Sequence, residues 1–204
     1  MDKALRNAIK KIAEIYDTWE ADNRLIRDIA LCFEDSQFEA KSWLVDVMSE
    51  YISGDETVLV VGGWYGLQSK LLLDKFPNLT IDTIDKDEHV AGMGEYIFEN
   101  ENINYITGDI EHLQNMEKYD IIISTAIEHI VPTKVNSIVE RKRSDTIICF
   151  QSNDEFNYVG PLADEHFNCS KDLEEFKNSI AVDEVLQAIQ IPQGDFYRFM
   201  VIGK

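Results

Sequence analysis

Base is scarce in this chain. Lys and Arg number 19 against 38 Asp and Glu in 204 residues, a formal net charge of −19 at pH 7. Such a chain repels polyphosphate at long range, so a nucleic-acid substrate is disfavoured. The one basic cluster, Arg141-Lys142-Arg143, reads as a solvated loop between a helix and a strand. Long apolar runs are missing too. No stretch of 18 apolar residues occurs, so no membrane span is expected. The opening MDKALRNAIKKIAEIYD is charged and amphipathic, unlike a signal peptide. Cysteine is rare. Cys32, Cys149 and Cys169 are an odd number without CxxC spacing, so free thiols in a reducing cytoplasm are expected rather than a disulfide framework. Nothing in the spacing of His129, His166 and Cys169 suggests coordination, and no metal is expected. Internal repeats and low-complexity linkers are absent.

What is present is a hydrophobic content of 45 %, enough at this length for one sizeable core. The expectation is a single domain over 1–204, with N-terminal helices over 1–53 and a nucleotide-binding core over 54–204. Its most informative stretch is TVLVVGGWYG, Thr57 to Gly66. Val58–Val61 is a β-branched run that reads as a buried strand. It breaks at Gly62-Gly63, a third glycine follows at Gly66, and LQSKLLLDKF then has helical spacing. Strand, glycine turn and helix open a βαβ unit. Glycines let the backbone approach a ligand closely, and the helix start offers free N–H groups. Asp85 lies about 20 residues on, at the end of a second strand, where an acid accepts from ribose hydroxyls.

The rest of the chain alternates. Strands are predicted at Val58–Val61, Thr80–Ile84, Ile103–Ile106, Asp120–Ser124 and Thr146–Gln151. Helices are predicted at Leu67–Phe76, His89–Asn100, Thr133–Glu140 and Lys171–Asn178. That order implies a parallel sheet covered on both faces. Upstream, Ile9, Ile12, Ile15, Tyr16 and Trp19 recur at helical spacing. Asp35 or Ser36 is the expected cap of a helix through Tyr51, with Phe38, Trp43, Leu44, Val47 and Met48 on its apolar side. At the end, Glu184–Ile191 and Phe196–Ile202 flank PQGD and read as an antiparallel hairpin. Dinucleotide dehydrogenases continue with further βα units instead.

A parallel sheet closed by a reversed strand resembles the class I S-adenosylmethionine-dependent methyltransferases. The resemblance covers roughly Thr57 to Lys204 and implies a Rossmann-like α/β fold with a seven-stranded, mainly parallel sheet. VVGGWYG stands where that family has its glycine motif. By the resemblance, Gly62, Gly63 and Gly66 hold the methionine part of S-adenosyl-L-methionine. Asp85, with Lys86 beside it, holds the ribose. Asp109 and Ile110, after the third strand, meet the adenine. Ser124 ends the fourth strand, whose YDIIISTAIEHI segment faces the reacting methyl. Two positions depart from the pattern: Val60 replaces an acid, and Trp64 replaces the middle glycine. No NPPY or DPPY motif follows the fourth strand, which argues against methylation of DNA bases.

On the acceptor side the candidates are Glu128 and His129, in EH. Neutral imidazole accepts a proton near physiological pH, so His129 is placed to deprotonate a hydroxyl or amine, with Glu128 either orienting it or holding an ammonium group. The long loop after the fifth strand supplies Asn153, Tyr158, His166 and Asn168 as substrate-binding candidates, because substrates bind beyond the carboxyl ends of parallel strands. The two segments are expected to meet across one pocket. The expected function is methyl transfer to a small-molecule acceptor. Two other readings fit the same residues: a non-catalytic module that keeps the fold, and another nucleotide-dependent Rossmann enzyme. Oligomeric state is not legible.

Overall fold

A computed structural model describes residues 23–98, 102–157 and 166–204. Helix α1 (Asn23–Cys32) leads into α2 (Asp35–Met48). Strand and helix then alternate as β1 (Thr57–Val61), α3 (Leu67–Lys75), β2 (Thr80–Asp85), α4 (Glu88–Ile97) and β3 (Ile103–Thr107). They continue as β4 (Ile121–Ser124), α5 (Pro132–Arg141), β5 (Ile147–Asn153) and α6 (Leu173–Ser179). The chain closes with β6 (Val185–Gln193) and β7 (Phe196–Gly203). Single 3-10 turns occupy Ile110–His112, Met116–Lys118 and Ile127–His129.

One seven-stranded sheet runs in the order β3-β2-β1-β4-β5-β7-β6. β1 to β5 are parallel, whereas β7 is antiparallel to both β5 and β6. This is the Rossmann-like class I methyltransferase architecture expected above. The apolar runs explain it. Both faces of a parallel strand are buried, so continuous β-branched sequence is required. In β1, Leu59 and Val61 join the cluster under α5 and α6, with Ile122, Phe150 and Val201. Val58 and Val60 face the other way, to Leu44, Met48, Leu72, Cys149 and Met200. The hydrophobic residue at position 60, where the resemblance expects an acid, is thus a core residue.

Strand order reverses between β1 and β4. In open α/β sheets the crevice at such a switch point receives ligands. Here it lies between the glycine turn after β1 and the segment 125–131 after β4. None of the described helices is long and apolar enough to cross a membrane.

Local readings change in three places. Glu34, not Asp35 or Ser36, is the N-cap of α2; its carbonyl accepts from Gln37 N and Phe38 N, with no side-chain cap. Phe38 is exposed instead of packed, whereas Trp43 and Val47 do pack on the core. The basic cluster is partly exposed, as expected, but its arginines are bonded to the protein. Arg141 donates to the carbonyls of Ile110, Glu111 and Leu113. Arg143 donates to Glu117 O and pairs with Asp120 and Asp145. Arginines here fasten the β3–β4 connection, because their forked donors satisfy several carbonyls at once. The helical spacing of Ile9, Ile12, Ile15, Tyr16 and Trp19 lies outside the described residues.

Candidate functional site

The turn after β1 is tied back to β2: Gly62 N and Gly63 N both donate to Ile84 O, at 2.9 and 3.2 Å. Gly62 (φ 65°), Trp64 (φ 48°) and Gly66 (φ 87°) are left-handed. Glycine is free there, whereas tryptophan is strained. Gly63 serves a different need. A Cβ on it would lie 1.8 Å from Thr83 Oγ1, and one on Gly66 would lie 2.3 Å from the Tyr105 hydroxyl. The missing side chains thus admit the protein's own residues. The Trp64 side chain turns towards α1. Its indole N–H donates to Asp28 Oδ2 at 3.2 Å, and the Tyr65 hydroxyl donates to the same oxygen at 2.6 Å.

Asp85 ends β2 facing this turn. Oδ2 accepts from Trp64 N at 3.1 Å and Oδ1 from Asp87 N at 3.2 Å. The helix that follows is capped by Asp87, which accepts from His89 N, so Asp85 is not its cap. Burial pushes the Asp85 carboxyl above its ordinary range, offset in part by those two N–H groups. Lys86 beside it is exposed. Asp109 caps the Ile110–His112 turn through Glu111 N and pairs with Lys134. That lysine, chiefly, holds its carboxyl below the usual range. Ile110 is buried in the core. Gly108, next to Asp109, has open space where a Cβ would be.

Across the switch point, Ser124 is fully buried at the end of β4. Glu128 and His129 sit in the 3-10 turn that follows. The 166–169 segment packs directly on it: Phe167 N and Asn168 N donate to Glu128 O, and Asn168 Nδ2 donates to Ile127 O and Ile130 O. The His129 and His166 rings meet edge to face, 4.6 Å between centroids. Asn153, at the carboxyl end of β5, donates from Nδ2 to Glu128 Oε1 at 2.9 Å. Glu128, His129, Asn153, His166 and Asn168 therefore converge. Asn168 commits its amide to the turn's carbonyls, a fastening contact. Tyr158 lies outside the described residues. Burial, then His129, lowers the His166 pKa, which favours its neutral form. Cys169 lies 3.4 Å from Asn153 Oδ1, its thiol pushed up to about 11 by burial. Among the described residues, no group of three or more His, Cys, Asp or Glu could hold a metal ion.

Three residues escaped the sequence reading. Arg198 in β7 pairs in register with Asn153, is 6 % exposed, donates from Nε to Gln193 Oε1 at 2.7 Å, and has NH1 3.7 Å from Glu128 Oε1. Lys41 in α2 is 5 % exposed and donates to Gln37 Oε1. Asp28 in α1 anchors Trp64 and Tyr65. The available signals were a lone Arg inside the apolar run FYRFMVI, and a Lys on the same helix face as Leu44, Val45 and Met48.

Comparison with known proteins fits this geometry. No family model matches the chain. Over 87 residues it is 36 % identical to malonyl-[acyl-carrier protein] O-methyltransferase 2 of Ilyobacter polytropus, 41 % of this chain and 34 % of that protein. Over 101 residues it is 34 % identical to the malonyl-[acyl-carrier protein] O-methyltransferase of Acetivibrio thermocellus, 47 % of this chain and 35 % of that protein. The chain thus spans about a third of the curated relatives it matches. In fold it is similar to the N-methyltransferase NodS of Bradyrhizobium japonicum WM9 (TM-score 0.63, 14 % identity, 84 % of this chain and 97 % of that one). It is also similar to a point mutant of MtNAS solved in complex with S-adenosylmethionine (TM-score 0.60, 16 % identity, 97 % of this chain and 72 % of that one). In fold the chain is thus similar to S-adenosylmethionine-dependent methyltransferases, and over part of its length its sequence is similar to curated O-methyltransferases.

Proposed function

We propose that this chain binds S-adenosyl-L-methionine and catalyses methyl transfer to a small-molecule acceptor. The observation that carries the reading is Asp85, held by Trp64 N beside the Gly62–Gly66 turn at the switch point of a seven-stranded sheet. Each Asp85 oxygen accepts one backbone N–H, and a carboxylate has about four acceptor sites. Capacity for two ribose hydroxyls remains, so the residues fit the cofactor. The open side of Gly108 and the Asp109-Ile110 pair give adenine a place between polar and apolar groups. Bound, the sulfonium supplies an electrophilic methyl group.

The chain's own task is to hold a nucleophile in line, exclude water and take a proton. Proximity and orientation supply much of such a rate. An imidazole nitrogen of His129 is the proton acceptor, and His166, kept neutral by burial, packs against it. The Glu128 carbonyl, accepting from Phe167 N and Asn168 N, holds the His166 segment against the His129 turn. The free thiols suit a reducing cytoplasm. The names of the sequence relatives point to an acyl group on a carrier protein as one acceptor to try. His129→Ala should cut transfer of labelled methyl to a competent acceptor by about 100-fold or more, while S-adenosylhomocysteine affinity stays within about twofold. Undiminished turnover removes His129 from the mechanism.

A further inference from the structure

The inside of the acceptor side carries a charge opposite to that of the molecule. Lys41 and Arg198 are both more than nine-tenths buried, and the one comparably buried acid beside them is Glu128. Glu155, also within electrostatic reach of Arg198, is only half-buried. Of the five guanidinium N–H donors, the described residues accept only from Nε; NH1 stops 3.7 Å short of Glu128. Lys41 gives one of three N–H groups to the neutral Gln37 amide. Burial without a bonded anion lowers its ammonium to about 8. Two acceptor atoms close by are buried and unpartnered: Glu128 Oε2 and Gln151 Oε1. Gln151 is attached to the same turn of helix as Lys41, through Nε2 to Ala40 O at 3.1 Å.

Buried polar atoms are normally satisfied, and buried charges are normally paired. Here, among the described residues, Lys41 has no bonded carboxylate, Arg198 has only a loose 3.7 Å ion pair with Glu128, and two acceptor atoms beside them are unpartnered; together they describe what is missing. Building on the methyltransferase reading, we propose that the methyl acceptor carries a carboxylate, which docks on Arg198 and Lys41, beside an N–H or O–H donor that meets Glu128 and Gln151. The carboxylate is an anchor, since two cations withdraw its electrons from nucleophilic attack. The position favours the acceptor over the cofactor's own amino-acid end. Arg198 stands on β7, three strands from the glycine turn, about 14 Å across the sheet.

Three meta-substituted phenols that differ in charge test this: 3-hydroxybenzoate, its near-isostere 3-hydroxybenzamide, and 3-hydroxybenzylamine, titrated calorimetrically at constant ionic strength with and without S-adenosylhomocysteine. The benzoate should bind at least about tenfold tighter than the amide, as expected for a charge-assisted hydrogen bond, and the amine should not bind. Lys41→Met and Arg198→Lys should each weaken the benzoate by about tenfold. Lys41→Met should also raise the melting temperature at pH 7, because it removes a buried ammonium that lacks an anion. A purely structural lysine would do the reverse. A benzoate no tighter than the amide, including no binding of either, overturns the proposal. So does a preference that survives both variants. So does a Lys41→Met variant that weakens S-adenosylhomocysteine tenfold but leaves methylthioadenosine unchanged, since the cation then serves the cofactor. If S-adenosylhomocysteine gives no heat, the cofactor reading falls, while the arm without it still decides the anion subsite.

Discussion

At the scale of single residues, Trp64 is the point of greatest tension. A non-glycine residue in the left-handed region costs about 1–2 kcal/mol. Here the cost is offset by an indole bonded to Asp28, a ring 5.6 Å from that of Tyr65, and packing against the cluster of Ile29, Leu67 and Val90. The side chain is committed to α1, not to the crevice. Trp64→Gly should therefore lower stability by about 1–2 kcal/mol in denaturant melts, net of the relieved strain. Its affinity for S-adenosylhomocysteine should stay within about threefold. A large loss of affinity at unchanged stability would instead mean that the indole covers the cofactor. Nothing in GGWYG announces the Asp28 partner, which is 36 residues upstream of Trp64.

Elements were the most legible level. The strands fall within two residues of their predicted bounds, because Val, Ile and Thr runs bounded by Gly, Asp and Asn have little alternative inside a doubly covered sheet. What local pattern hides is the reason for a glycine. Gly63 looks like a ligand-approach residue, yet it makes room for Thr83 of the neighbouring strand. This coupling is measurable. Gly63→Ala should destabilise by about 2 kcal/mol or more through overpacking. Adding Thr83→Ala should recover much of that, giving a coupling of at least about 1 kcal/mol in a double-mutant cycle. Strict additivity would show that the turn relaxes by another route. The arginines at 141 and 143 teach the same lesson. Their partners include carbonyls of a distant connection, so a charge run that reads locally as free loop is in fact bonded.

For the whole molecule, the switch point gathers one half of the candidate site from β1 and β2 and the other from β4, β5 and β7. The first half is contiguous enough to be read as motif: turn glycines, then Asp85. The second half depends on contacts between segments 25 to 70 residues apart, such as Asn153–Glu128 and Arg198–Glu128. EH and the long loop were visible as candidates, but Lys41 and Arg198 matter only once α2 and β7 are folded against β5. The chain carries −19 overall, while this interior sets two buried cations against one buried acid. Net charge thus describes solubility and long-range repulsion, not the chemistry of the crevice.

The most direct test of the central claim is calorimetry with S-adenosylhomocysteine and NAD side by side, on the wild-type chain and on Asp85→Ala. Binding of S-adenosylhomocysteine alone is expected, weakened by about 1–3 kcal/mol in the variant as ribose hydroxyls lose a charged acceptor. Binding of NAD in its place, or of neither, would contradict the account, as would an Asp85→Ala variant with full affinity.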